Sequence, residues 1–489
     1  MLETLKRAAK DTLIYGVGET SAKLATFLLI PLYTRYLAPS DFGVLSIALV
    51  LPALLADIAN GGIIMAFYRF YFDSEQDDGR RAIAGTAAWF NILSTGGVVG
   101  SLLVLSGGLA GLFFGSASYQ AVFQLALCVI FLSNLTRFGF ALLRVERRTR
   151  LYAALNLVRV CISLASTIYF VAGLKLGVAG VLLGQVTAEG LILLTLAPTA
   201  IHGRVRWKGS MSKLREMLRY SVPLLPAGVA GWVTISLPVI LVGRLSTLGE
   251  AGLFGVAARL GWMITALITT PFQLGWAPIA YSLATTENPR PTYARVLTYF
   301  TLLATGAALA ISLLSTEVLK IMATSEYVAA HATVPFLAFG AAVYGVSMCF
   351  LISIEVAKKT IYITLLWTLA AAASLGLDFL LVPLMGRQGA AVGYALTFLI
   401  VGTGAYFFAQ RAYRIPCEIA RMTKAIMAAV GIYLVGSVVY VHNGWINAGC
   451  KLLLLAAYPF ILYLLGFFYK EELHQIAAFW RRLRRQAPT

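Results

Sequence analysis

The chain has 489 residues, of which 59% are hydrophobic and 12% charged, with a mean hydropathy of +0.81. Soluble domains carry about 25% charged residues, so a soluble globular class is excluded. The net charge of +18 would suit a nucleic-acid binder, but it is dispersed along an apolar chain rather than gathered on one polar domain.

A bilayer span needs about 20 apolar residues. Taken in chain order, fourteen stretches qualify, near 13–37, 42–66, 83–106, 120–143, 151–173, 177–200, 220–243, 252–281, 296–315, 332–354, 361–385, 389–410, 425–442 and 449–468. They are long Leu/Ala/Gly-rich runs without alternation, which predicts helices rather than barrel strands. The first is too long for a signal-peptide core and lacks a cleavage site, so it is expected to remain as a span.

The chain repeats itself. Arg35, Asp41 and Gly43 are answered by Arg244, Glu250 and Gly252 at an offset of 209. Arg147-Arg148-Thr149 is answered by Lys358-Lys359-Thr360, and Gly177-Val178-Ala179 by Gly389-Ala390-Ala391. Three ordered echoes predict an all-α polytopic protein of two related six-helix lobes with two helices appended. The expected divisions are an N-terminal lobe over 1–200, a basic linker over 201–219, a C-terminal lobe over 220–410, the last two helices within 411–469, and a basic tail over 470–489. An even number of spans per half gives both halves the same orientation, about an axis along the membrane normal.

With the amino terminus in the cytoplasm, twenty-nine of the thirty-nine Lys and Arg fall in cytoplasmic loops or tails and six fall outside. This asymmetry places both termini inside. The basic linker and tail then read as topology signals, with contact to anionic lipid as a secondary use. Gly16, Gly18 and Pro31 in the first helix, and Pro223, Pro226, Gly228, Gly231 and Pro238 in the seventh, predict bending in those two helices.

No connecting stretch is long enough for a soluble domain. The five cysteines and four histidines are scattered without metal or redox spacing, and no nucleophile motif or phosphate-binding glycine loop appears. No enzyme activity and no cofactor are expected. The outer loops are short, which argues against a membrane enzyme of polysaccharide assembly, a class that usually needs a sizeable loop bearing carboxylates or arginines.

Eight ionisable residues fall well inside spans: Glu19, Lys23, Asp57, Arg137, Arg159, Glu189, Arg259 and Asp378. Each costs about 2.5–3.5 kcal/mol at a helix centre, so they should face the interior or water. Glu19 and Lys23 are spaced to pair within one helix. Arg137, Arg159 and Arg259 have no acid one turn away and could pair across helices with Asp57, Glu189 or Asp378. The functional alternative gathers Arg137, Arg159, Arg259 and Lys23 into one cationic cavity for an anionic headgroup, because guanidinium binds phosphate bidentately and never titrates. Asp57, Asp378 and Glu19 are the candidates for coupling to a proton or sodium ion.

Arg35, Leu37, Pro39, Phe42, Gly43, Gly62, Ile63, Ala66 and Arg69 form an opening that resembles the polysaccharide transporters of the multidrug/oligosaccharidyl-lipid/polysaccharide exporter superfamily. Gly243, Arg244, Gly252, Phe254, Ala257, Arg259 and Leu260 resemble the same family's second-half stretch. The resemblance implies flipping of undecaprenyl-diphosphate-linked oligosaccharide across the bacterial inner membrane by alternating access. It further implies membrane lipids and the pathway's polymerase and glycosyltransferases as partners, in lipopolysaccharide or exopolysaccharide synthesis. The chain departs from the family in having Leu237 where an Asp often stands. The rival readings are a drug or organic-cation antiporter of the same superfamily, a membrane enzyme, and a non-transporting scaffold.

Overall fold

The computed structural model describes residues 27–74, 76–206, 209–283, 290–438, 444–469 and 472, and among these all regular structure is helical. The helices are α1 (Ile30–Tyr36), α2 (Pro39–Ala59), α3 (Ile63–Asp73), α4 (Asp77–Val104), α5 (Ser106–Phe114), α6 (Gln120–Val145), α7 (Thr149–Ile168) and α8 (Gly177–Leu196) in the first half. The second half continues with α9 (Met211–Ser221), α10 (Leu225–Leu245), α11 (Leu248–Gly261), α12 (Thr270–Leu283), α13 (Arg290–Met322), α14 (Val334–Val356), α15 (Ile361–Met385) and α16 (Arg387–Ala412). The appended pair is α17 (Ile419–Val438) and α18 (Gly444–Leu464). Thirteen spans among the described residues are long and apolar enough to cross a bilayer. Most of the expected first span, 13–37, lies outside the described residues, as do Gly16 and Gly18.

The two halves are built alike. In the first, α8 packs on α6 and α7; in the second, α16 packs on α14 and α15. They meet where α2 crosses α11. Gly43 and Gly252 make that crossing possible. A Cβ on Gly43 would lie 2.0 Å from Leu248 O, and one on Gly252 1.8 Å from Pro39 O, so neither position tolerates a side chain at this separation. These are the two glycines of the sequence repeat, and the axis relating the halves passes between them.

Hydrogen bonds close the same end. Thr34 Oγ1 donates to Met322 O at 3.2 Å, Thr324 Oγ1 to Thr34 O at 3.0 Å, and the buried Tyr327 hydroxyl to Leu37 O at 3.0 Å. The largest apolar cluster runs through this seam, from Tyr33, Phe42 and Val44 to Phe254, Val256 and Leu337. The opposite end carries α9 and the basic turns at 144–149 and 355–360, and is called the basic end below.

Interruptions fall in the second helix of each half, where none was expected; the seventh span opens on a 3-10 turn over Val222–Leu224 that holds Pro223, and most of the first span lies outside the described residues. Between α2 and α3 the chain breaks at Asn60, Gly61 and Gly62, with Gly61 and Gly62 at φ +56° and +67°, a region L side chains rarely adopt. Between α11 and α12 the helix loosens into a π-turn over Thr265–Thr269, which lies at the mated position. Two other prolines of the seventh span are accommodated: Pro226 sits in the first turn of α10, where no intrahelical donor is lost, and Pro238 is buried within it.

Candidate functional site

The break between α2 and α3 opens on a cavity of about 690 Å³ in the first half. Asp57 and Asn60 line it from α2 and the break, Tyr68 from α3, Arg137 and Arg144 from α6, and Arg159 from α7. Arg137 and Arg144 are seven residues apart, which stacks them on one face of α6.

Arg137 Nη1 donates to Asp57 Oδ1 at 2.6 Å, and with side chains 56% and 48% exposed this pair stands in the open cavity. Arg159 is set deeper. Its Nη1 lies 3.3 Å from Glu189 Oε1, with side chains 29% and 13% exposed, and its guanidinium lies 5.4 Å from the Phe140 ring centroid. Glu189 is held from behind by Thr136 Oγ1, which donates to Oε2 at 2.5 Å. Arg144 Nη2 donates to the Tyr152 hydroxyl at 2.7 Å. The cavity wall therefore presents three guanidinium groups and one carboxylate, with Glu189 behind Arg159.

A polar network fixes the break against its neighbours. Asn60 Nδ2 donates to Asn134 Oδ1 at 3.2 Å, while Ser94 and Thr95 hydroxyls donate to Asn60 Oδ1 at 2.6 and 3.2 Å. Gly61 O accepts from Ser221 Oγ at 2.5 Å, so the last residue of α9 grips the interrupted helix of the other half.

Arg259 does not join this group, contrary to the expectation of one cavity. It lines a separate, largely apolar cavity of about 320 Å³ with Phe27, Ile235, Trp262, Tyr344 and Tyr394. The reason is helical register: residue 259 is two turns beyond Gly252 and stays on the face of α11 that meets α1 and α2. Its guanidinium stacks on Phe42 and Tyr33 at 4.5 and 5.3 Å, and its Nη1 is buried without a hydrogen-bond partner. No carboxylate among the described residues pairs with it.

Asp378 also stands apart from the first-half cavity. It is buried in α15, its Oδ2 accepts from Ser374 Oγ at 3.4 Å, and its Oδ1 has no partner. A Cβ on Gly393 of α16 would lie 3.0 Å from that oxygen. Asp57 is the only one of the three ion-coupling candidates in the arginine cavity among the described residues. Lys23 and Glu19 lie outside the described residues.

Arg144 and Arg421 fall just outside the expected spans 120–143 and 425–442, yet both lie on helices. The spacing to Arg137 was available as a signal for Arg144. Asn60 and Tyr152 carried no such signal, because their placement depends on the break and on a neighbouring helix.

The family described as "Polysaccharide biosynthesis protein" matches residues 32–332. No curated protein sequence matches the chain. Among solved structures, one titled "Lipid II flippase MurJ, inward closed conformation" is similar over 93% of this chain and 99% of its own, at 13% identity and a TM-score of 0.73. An inward-facing multidrug resistance MATE family transporter of the MOP superfamily covers 84% of this chain and 99% of its own, at 13% identity and a TM-score of 0.66. The Vibrio cholerae MATE transporter VcmN in the bent form covers 85% of this chain and 98% of its own, at 14% identity and a TM-score of 0.54. At these identities the likeness is one of fold.

Proposed function

From the chain's membership of the polysaccharide biosynthesis protein family, we propose that it flips a lipid-diphosphate-linked oligosaccharide across the bacterial inner membrane by alternating access. The observation that carries this reading is the cluster of Arg137, Arg144 and Arg159 around one cavity of about 690 Å³ between spanning helices. Arg137 and Arg159 rest on Asp57 and Glu189, but three guanidinium groups around one cavity can also meet a diphosphate, which supplies adjacent charges with bidentate acceptors. Arg259, stacked on aromatic rings with a donor unsatisfied, would take over the same headgroup as it passes the centre.

In this reading the basic end faces the cytoplasm, both termini lie there, and the cargo enters from the leaflet where it is made. Polymerase and glycosyltransferases of a surface-polysaccharide pathway would supply and consume it. A gradient of a proton or sodium ion would act through Asp378 or Asp57.

The test is Arg137→Ala and Arg159→Ala in a strain lacking the native copy. Transport should fall by at least about tenfold for each lost charge-assisted contact, with lipid-linked intermediate accumulating on the cytoplasmic leaflet and protein amount unchanged. Normal transport in both variants would overturn the reading. A second reading, organic-cation antiport, draws on the MATE-like fold and on Asp57 in the same cavity. Uptake of an organic cation into inside-out vesicles, abolished by Asp57→Asn, would favour it.

A further inference from the structure

The turns that end α6 and α14 are one turn made twice. The amides of Glu146, Arg147 and Arg148 donate to the carbonyls of Leu142, Arg144 and Leu143 at 3.1, 3.0 and 2.9 Å, with Arg147 at φ +55°. The amides of Ala357, Lys358 and Lys359 donate to the carbonyls of Ser353, Glu355 and Ile354 at 3.1, 2.8 and 3.2 Å, with Lys358 at φ +57°. The offset is 211 throughout (147 to 358), so the duplication superimposes Arg144 on Glu355.

Mates lie at matching distances on either side of the axis between the halves. At the seam end they meet, Gly43 against Gly252, backbone to backbone. When the seam opens and the basic end shuts, mates near the axis at that end approach in the same way. Most charged groups of the cavity have mates that cannot pair: Arg137 answers to Met348, Arg159 to Ala370, and Asp57 to Ala266. Arg144 answers to a carboxylate.

We propose that Arg144 and Glu355 form an ion pair across the cleft that holds the basic end closed in the alternate state. In the present state each has a tyrosine among its partners. Arg144 donates to the Tyr152 hydroxyl at 2.7 Å, and the Tyr281 hydroxyl donates to Glu355 Oε2 at 2.6 Å. The flanking charges keep closure reversible. In the closed state Arg147 would approach its mate Lys358 and Arg148 its mate Lys359, and these like charges would oppose closure, while Glu146 is already engaged by Arg204 at 2.9 Å. A single carboxylate among cations gives a latch that shuts and releases.

The inference rests on the transport reading but on no particular cargo, so its test needs none. In full-length protein with the five native cysteines replaced by serine, Arg144→Cys and Glu355→Cys are joined in membrane vesicles by a short bifunctional thiol reagent. Gly252→Ala, which bars the seam from closing, is added to bias the population. Cross-link yield should rise several-fold with Gly252→Ala; an unchanged yield overturns the proposal. Separately, Arg144→Glu and Glu355→Arg should each lower transport at least about fivefold, the low end of typical coupling, and the double swap should rise above the worse single variant, short of full recovery because the guanidinium at 144 is still missing from the cavity. A double swap no better than the worse single variant also overturns the proposal. Should the swapped protein fail to accumulate, the cross-link decides alone.

Discussion

Asp57 and Glu189 each face an arginine in the same cavity, yet their surroundings give them different weight. The Asp57–Arg137 pair is half-exposed, and pairs of that kind contribute little. Asp57→Asn should therefore cost less than about 1 kcal/mol of stability. Glu189 is more enclosed, between Arg159 and Thr136, so Glu189→Gln should cost more, about 1–2 kcal/mol, for the lost charge-assisted bonds. Thermal unfolding of the two purified variants in one detergent should separate them. The presence of these charges inside spans was legible in the sequence, because apolar length alone marks a span. Their partners were not, since Arg137 and Asp57 are brought together by the packing of α6 on α2 and not by any spacing along one helix. Lys451 makes the same point: one of the six Lys and Arg expected outside, at the edge of the last span, it is buried against Glu317 at 2.7 Å.

At the scale of helices, the seam depends on two glycines and a tyrosine hydroxyl. Gly43→Ala or Gly252→Ala drives a Cβ into a carbonyl of the facing helix, and backbone cannot step aside as a side chain can. Either variant should open the seam end, read as a gain in labelling of a cysteine placed at Leu37 by a membrane-impermeant thiol reagent. Tyr327→Phe removes only the bond to Leu37 O and should cost about 1 kcal/mol, visible as a smaller gain in the same labelling. Span positions and the two-lobe repeat were legible, because the apolar runs and the Arg–acid–Gly echoes are each tied to a helix start. The interruptions of α2 and α11 were not. Asn60-Gly61-Gly62 sits inside a continuous apolar run, and the π-turn at Thr265–Thr269 contains neither Gly nor Pro. Of the prolines in the seventh span, Pro226 and Pro238 occupy positions that helices accommodate, and Pro223 sits in the 3-10 turn that precedes α10.

Across the whole molecule, α17 and α18 are fastened to the second lobe at one end and chiefly to each other at the other. Glu317 of α13 binds Lys451 Nζ at 2.7 Å and accepts from Asn447 Nδ2 at 2.7 Å. At the other end Arg421 is buried between Tyr469 and Phe467, 4.4 and 4.7 Å from their centroids, and bridges Glu418 and Glu472 at 2.7 and 2.8 Å. Burial pushes the Glu472 carboxyl up, but hydrogen bonds from Tyr299, the Tyr469 amide and Arg421, with the Arg421 charge, hold it below the ordinary carboxylate range. The stability it lends is complete above that range and lost as pH falls through the depressed value. Amide exchange over residues 419–425 and 466–469 should therefore stay slow at neutral and mildly acid pH and quicken only in strong acid. Glu472→Gln should show the quickened exchange already at neutral pH. The Gly43–Gly252 contact has a historical corollary. Each glycine is the wall against which the other is pressed, so after the ancestral gene doubled, neither copy was free to acquire a side chain there on its own. At this crossing the fates of the two lobes are joined.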